Sequence, residues 1–372
     1  MKKLIFRNIF KDITYFFIIT SLSLTLIVWV IQAVNYLDFV SEDGHSFGVY
    51  FMYSLLSLPK IFSKLILFVF FISVFFTLSK YEENNEILIF WTFGIKKSEF
   101  LNKIVQFSLI YFLISIILSV FLVPKTQDIA KSFIRESNID YFPSLIKTQH
   151  FNDAASDLTI FVEEKDNKGF IKNIFIKDNS SENAQIISAR RGIIAKKNEL
   201  YYLILYNGNI VNLSKKNTNL IKFDKTEFNL SNYGTRSTIF PKIQETSSVK
   251  LINCLNIFFK DKTGYEQGKF RCNQGSIDAV FKETYKRLIL PFYIILIGFI
   301  TGCLVIKSKS QINFSRFKIF IFLCGFILIV FSEGSSNILN YFNFYKSSMV
   351  FIPFMLILLL YFTIIKNKKI QS

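Results

Sequence analysis

Histidine is nearly missing from this chain: there are two in 372 residues, His45 and His150, each alone in its segment. Neither has a cysteine, an acid or a second histidine at ligand spacing, which argues against a metal centre, and no Ser/His/Asp set can be assembled around them for nucleophilic catalysis. Cysteine is almost as scarce, with four residues. Cys303 and Cys324 fall in apolar runs, where a small buried hydrophobe is the ordinary role. Cys254 and Cys272 fall in a polar stretch, and their spacing is compatible both with a disulfide and with two free thiols. Acidic residues are almost absent from the apolar runs, which weakens a proton-coupled transporter. The stretch holding Gly264, Gly268 and Lys269 lacks the spacing and the closing Ser or Thr of a phosphate loop. No catalytic residue, metal ligand, cofactor or nucleotide site of the chain's own is therefore expected.

What is present is apolar surface. The composition is 51% hydrophobic and 17% aromatic, with 45 Phe and a mean hydropathy of +0.36, which points to an integral membrane protein. A hydrocarbon core about 30 Å thick takes roughly 20 helical residues at 1.5 Å each. Six runs approach that length: residues 13–34, 57–78, 104–123, 288–306, 317–333 and 347–365. The first is too long and too rich in Phe and Ile for a cleaved signal peptide, and no small-residue cleavage site follows it.

Charge orients these runs. Lys2, Lys3, Arg7 and Lys11 precede the first; Lys80, Lys96, Lys97 and Lys103 follow the second; Lys307, Lys309, Arg316 and Lys318 follow the fourth; Lys366, Lys368 and Lys369 follow the sixth. The alternate loops, residues 35–56 and 332–346, hold only Lys346. This asymmetry predicts cytoplasmic N- and C-termini and puts the polar block between the third and fourth runs outside.

That block, residues 125–287, carries 26 Lys plus Arg against 18 Asp plus Glu. Within it the apolar period shifts to two. Residues 158–162, 171–177, 184–189, 192–195, 200–206, 209–213, 220–223 and 227–230 read as short strands, with turns at residues 166–169 and 178–181 and a hairpin turn at Asn207-Gly208. A helix-prone stretch, residues 247–260, and a helix from Ser276 close the block. The expected fold class is a membrane α-helical protein of six transmembrane helices, three before and three after an inserted all-β, jelly-roll-like domain. Its domains are residues 1–124 with helices 1–3, residues 125–287 with the β domain and flanking helices, and residues 288–372 with helices 4–6 and a cytoplasmic tail. Pro124 ends the third run, and Pro353 lies inside the sixth, where it can kink the helix.

Two patterns bear on function. In the second cytoplasmic loop, residues 84–94 predict a helix of about two turns, capped by Asn84 or Asn85, with Glu86 at its positive end and Gly94 stopping it. Leu88, Trp91 and Thr92 sit at helical spacing, so the segment is either an ordinary interfacial helix or a docking knob for a cytoplasmic partner. At the outer ends of the spans stand Lys60, Lys64, Lys286 and Arg287, which read either as snorkelling anchors or as contacts for anionic headgroups.

The order of these features over nearly the full length resembles the lipopolysaccharide export permeases, the LptF/LptG family. The matching residues are Asn85 and Glu86 followed by Gly94; Arg287 and Pro291 at the start of the fourth run; Ile174, Phe175 and Ile176; Ile187, Ser188, Ala189, Arg190, Arg191 and Gly192; and Leu205, Tyr206, Asn207 and Gly208. The strand and turn details are more similar to LptF than to LptG. The resemblance implies an inner-membrane permease subunit with its β domain in the periplasm. It implies an LptG-like sister permease, an LptB-like ATPase dimer that binds the ATP, and LptC/LptA-like β-jelly-roll proteins that receive lipopolysaccharide. No nucleic-acid partner is implied. Lipopolysaccharide would enter between the first and fifth spans of opposite subunits, Glu86, Trp91 and Gly94 would couple to the ATPase, and Lys60, Lys64, Lys286 or Arg287 would meet the headgroup. The rival reading is a non-transporting membrane scaffold or mechanotransmitter whose external β domain binds a partner.

Overall fold

The computed structural model describes residues 2–37, 47–145, 148–155, 158–166, 170–179, 184–197, 200–213, 218–229, 242–261, 265–267, 270–272, 274–309, 311, 313–339 and 348–366. His45, Lys346, Lys368, Lys369 and most of the two expected turns at 166–169 and 178–181 lie outside the described residues. The chain forms two compact units. One comprises Met1–Ile31, Ser57–Asp128 and Lys242–Ser372; the other comprises Gln32–Leu56 and Ile129–Pro241. Residues 242–287 thus group with the membrane helices, although the sequence pattern joins them to the β domain.

In chain order the first helices are α1 (Lys2–Asn35), α2 (Phe47–Leu56), α3 (Leu58–Glu83), α4 (Ile87–Thr92), α5 (Lys97–Ile117) and α6 (Val123–Leu145). After six strands come α7 (Ser248–Asp261), a small hairpin β7 (Tyr265–Gln267) and β8 (Phe270–Cys272), then α8 (Gln274–Leu288), α9 (Phe292–Gly302), α10 (Phe314–Ile338) and α11 (Ile352–Lys366). Among the described residues four helical runs are long and apolar enough to cross a membrane: Lys3–Asn35, Phe47–Glu83, Lys97–Ile134 and Phe314–Ile338. A fifth arises if Gly275–Leu288 and Phe292–Ile306, bent by 44°, count as one. The sixth expected span is the 15-residue α11, about 22 Å at 1.5 Å per residue, which is shorter than a hydrocarbon core. Pro353 is the second residue of α11, in the first turn, where proline is tolerated, and a 3-10 turn, Ser348–Phe351, runs directly into it.

The membrane core packs around α9, whose Tyr293, Ile294, Leu296 and Ile297 are almost fully buried with Phe70 and Phe71 of α3 and Ile104 of α5. Lipid competes with side chains for apolar contact, so close helix approach depends on small residues. A Cβ on Gly298 would stand 2.7 Å from the Cβ of Ser108. The buried hydroxyls do not disturb this packing, because Ser73, Ser108 and Thr301 each donate to a carbonyl of their own helix at 2.7 Å.

Pro124 does not end the third run. A π turn, Leu118–Leu122, carries α5 into α6 without a break. Proline has no N–H for the carbonyl four residues back, here that of Val120. The hydroxyl of Ser248 donates to Val120 O at 2.8 Å instead. The same exchange occurs at Pro291, which interrupts α8 and α9 and leaves the Arg287 carbonyl without its helical donor; Ser119 Oγ donates to it at 2.9 Å. Two prolines therefore open two carbonyls, and two serines from other segments close them.

In the second unit, β1 (Phe151–Ala155), β2 (Leu158–Lys165), β3 (Phe170–Asp178), β4 (Ala184–Lys197), β5 (Leu200–Leu213) and β6 (Thr218–Asn229) form one antiparallel sheet in sequence order. This is a meander, without the crossed strand order of a two-sheet jelly roll. The expected breaks at residues 190–191 and 207–208 do not divide strands. Asn207 has φ 54 but lies within β5, and pairing resumes in the same register on both sides, Arg191 with Tyr206 and Ala189 with Gly208.

What happens there is a slip in side-chain phase. One face buries Val162, Ile174, Ala189 and Leu205. Along each of β2 to β6 two consecutive residues point away from it: Glu163 and Glu164, Lys172 and Asn173, Arg190 and Arg191, Tyr206 and Asn207, Asp224 and Lys225. The register aligns these pairs into one row across the sheet. On β3 and β5 the slip is made with left-handed backbone at Asn173 (φ 47) and Asn207, which Asn tolerates better than most side chains; the pairs on β2, β4 and β6 slip without it.

Candidate functional site

The segment between the second and third apolar runs is built from two successive helix stops. Asn85 has φ 60 and ends α3, with Glu86 N–H donating to Tyr81 O at 2.8 Å and Asn85 N–H to Glu82 O at 3.1 Å. Gly94, φ 68, ends α4 in the same way, with Ile95 N–H donating to Phe90 O and Gly94 N–H to Trp91 O, both at 3.0 Å. Both are Schellman motifs. Gly94 stops the helix as the sequence predicts. Asn84 and Asn85 do not cap its start; they close the helix before it, and α4 shrinks to six residues.

Helix α4 buries Ile87 and Phe90 completely in the helical core and turns Leu88, Ile89 and Phe93 outward, each close to half exposed. Trp91 packs inward, its ring 6.0 Å from that of Phe100, so it anchors the helix and Leu88, Ile89 and Phe93 are the apolar surface on offer. Glu86, at the helix start, accepts from Asn84 Nδ2 at 2.9 Å. Sequence periodicity over a short, almost wholly apolar stretch cannot tell these faces apart.

Two acids next to this helix were not singled out by any sequence pattern. Glu82 is buried and accepts the Lys309 backbone N–H at 2.6 Å. Glu83 pairs with Lys318 at 2.5 Å, and its carbonyl accepts from Lys309 Nζ at 3.0 Å. Lys97 Nζ donates to Ile306 O at 3.2 Å. The loop between α9 and α10 is thus tied to both sides of α4, and the base of α10 with it.

The four basic residues expected at the outer ends part company. Arg287 is 3% exposed and its guanidinium is fully used. Nε donates to Glu283 at 2.9 Å, Nη1 to Thr246 O and Ser248 Oγ at 2.8 and 3.0 Å, and Nη2 to Gln244 O and Ile243 O at 2.9 and 3.4 Å. All five N–H groups are spent, so the headgroup contact expected of Arg287 finds no free donor. Lys60, half-buried in the first turn of α3, lies 3.5 Å from Gln127 Oε1 and within electrostatic range of Lys64, Glu245 and Glu283. Lys64 is exposed and Lys286 half-exposed.

Cys254 of α7 and Cys272 of β8 form a disulfide with Cα atoms 5.9 Å apart, beside Leu251, Phe258, Ile277 and Val280 in a small core of their own. Helices α1 and α10 are the least covered of the long helices: 17% of each apolar window is buried, against 56% for the run through α2 and α3. Leu22, Leu26 and Val30 of α1 and Phe320, Leu323 and Ile327 of α10 are among the side chains left exposed.

The family model of the lipopolysaccharide export system permeases LptF/LptG matches residues 7–367. An uncharacterized protein of Rickettsia prowazekii (strain Madrid E), RP871, is 24% identical over 193 residues, covering 51% of this chain and 53% of that protein. The chain spans about half the length of this curated relative.

Proposed function

Because the chain belongs to the lipopolysaccharide export system permease family LptF/LptG, we propose that it is the LptF-like transmembrane subunit of an ABC-type exporter. It takes lipopolysaccharide from the outer leaflet of the inner membrane and passes it to a periplasmic β-sheet bridge. ATP is hydrolysed by a separate LptB-like dimer, an LptG-like sister completes the membrane unit, and LptC/LptA-like proteins receive the lipid. Both termini and α4 face the cytoplasm, and the sheet faces the periplasm. The lysine and arginine bias of the short loops supports this orientation, as does a disulfide in the segment between sheet and membrane, since disulfides persist in oxidising compartments.

The observation that carries the reading is the pair of uncovered apolar helices, α1 and α10. A gate shared with the first and fifth spans of a sister subunit needs two such faces in each chain, and lipid acyl chains can slide along both. Helix α4 supplies the cytoplasmic end of the stroke: Glu86 and the apolar Leu88, Ile89 and Phe93 meet the ATPase, Trp91 holds the helix to the body, and Gly94 sets its length. The Glu82 and Glu83 ties carry the movement to α10. Lys60, Lys64 and Lys286 remain for the phosphorylated headgroup, and Arg287 holds the junction behind them.

Reconstitution with the ATPase and sister permease in liposomes, followed by ATP-driven delivery of lipopolysaccharide to a soluble acceptor, tests the reading. Leu88→Asp combined with Phe93→Asp is expected to cut copurification of the ATPase at least tenfold. ATPase recovery unchanged by that variant, with no ATP-driven delivery by the unaltered complex, would overturn it.

A further inference from the structure

A hollow of about 890 Å³ lies on the outward surface of the six-stranded sheet, on the side opposite the buried apolar face. It exists because of the slipped row. Arg190, Asn207 and Asp224 border it on one side, and Ser188, Asn209 and Lys222, two residues away on the same strands, border it on the other. Phe161 and Phe175 continue the second border onto β2 and β3. Gly208 lies in the floor between them, where a Cβ would stand 2.2 Å from the Ser188 carbonyl oxygen. Residues 189–192 of β4 and 205–208 of β5 pair with each other at this place.

The polar groups of the hollow are unoccupied by one another. Among the described residues Ser188, Arg190, Asn207, Asn209, Lys222 and Asp224 take part in no side-chain hydrogen bond or ion pair. Their neighbours do: Lys172 pairs with Glu164 at 2.7 Å, and Asn173 donates to Glu163 at 2.6 Å. Lys172 neutralises Glu164 and Glu163 keeps its charge, which leaves Arg190, Arg191, Lys222 and Lys225 against Glu163 and Asp224.

We propose that this hollow binds an acidic oligosaccharide. Sugar hydroxyls both donate and accept, and so do the amides of Asn207 and Asn209 and the hydroxyl of Ser188. The carbon face of a sugar ring packs on an aromatic side chain, and Phe161 is held for this by Phe151, centroid 5.0 Å away. A phosphate or carboxylate on the sugar meets Arg190 and Lys222, where charge-assisted hydrogen bonds are strong. The volume falls within the range of small-ligand sites, about 300–1,000 Å³. Whether that saccharide is the sugar part of exported lipopolysaccharide rests on the reading above; the chemistry of the hollow serves a free acidic saccharide equally.

The test uses the full chain in detergent with a delipidated, phosphorylated core oligosaccharide as probe, a neutral dextrin of equal length as control, and titration calorimetry as readout. The oligosaccharide is expected to bind at least tenfold more tightly than the dextrin, and Arg190→Gln with Lys222→Gln to weaken it at least tenfold. Lys177→Gln, an exposed site outside the hollow, leaves binding unchanged. Asn207→Gly keeps the left-handed backbone and loses only the amide contact, while Asn207→Val opposes that backbone and removes binding. Equal binding of the dextrin, of an acidic peptide, or of the Arg190/Lys222 double variant overturns the proposal, as does no binding at all. If the unaltered complex delivers lipopolysaccharide but the oligosaccharide does not bind, the hollow alone is refuted. If oligosaccharide binds and no lipopolysaccharide is delivered, the saccharide comes from another source.

Discussion

Arg287 takes its place from geometry that only its own side chain provides. A lysine would keep the charge beside Glu283 but could not reach Thr246, Ser248, Gln244 and Ile243 together, because its donors radiate from one atom. Arg287→Gln leaves buried carbonyls and Glu283 unpaired, and breaking a buried pair typically costs about 3–5 kcal/mol. The melting temperature of the detergent-solubilised protein is expected to fall clearly in Arg287→Gln and less in Arg287→Lys. A residue serving only a ligand would leave it unchanged. From the sequence Arg287 looks like Lys60, Lys64 and Lys286, a cation near an interface, because its partners lie some forty residues away and are mostly backbone carbonyls, which no residue code displays. Gly94 was legible for the opposite reason. A left-handed helix stop is local, and glycine announces it.

Among the elements, α4 shows what a short helix can and cannot do alone. Six residues do not sustain a helix in water, so α4 is held by Ile87, Phe90 and Trp91 on one side and by helix stops at both ends. Its coupling to the rest passes through Glu82 and Glu83. Glu82→Ala is expected to leave ATP hydrolysis by the complex largely intact and to lower lipopolysaccharide delivery severalfold per ATP consumed, measured in the same liposomes; equal losses in both would show that Glu82 serves assembly instead. The strands were legible from their period of two, and their number was not. Eight short strands were expected where the five strands β2 to β6 form, because a phase slip within a strand and a turn between strands interrupt the alternation alike, and β1 was not expected. Asn207-Gly208 has the composition of a hairpin turn, and only the pairing partners on both sides reveal that the strand continues.

Taken whole, the chain was most legible where bulk apolar content decides: helical membrane body, inserted sheet, polar segment between the third and fourth apolar runs. The division of residues 125–287 was hidden, since residues 242–287 are joined to the helices by Arg287, Ser248 and the Pro124 carbonyl exchange, all of them long-range. The side of the membrane can be read directly by labelling. A cysteine at Ser188, in a background with Cys303→Ser and Cys324→Ser, is expected to react with an impermeant maleimide once the outer membrane is opened. A cysteine at Thr92 in that background is expected to react only after the inner membrane is also breached, and the reverse pattern would invert the topology.

The clasp around Arg287 also keeps time. Its parts are made at residues 119–120, 243–248 and 287, so the ribosome finishes the first of them about 170 residues before the last. At roughly 5–20 residues per second that is on the order of ten to thirty seconds. Ser119 waits the whole of that interval for the Arg287 carbonyl, and the Val120 carbonyl waits most of it for Ser248, while the strands are synthesised between them. The junction therefore closes only after α8 has appeared, when the whole of the six-stranded sheet has already been made.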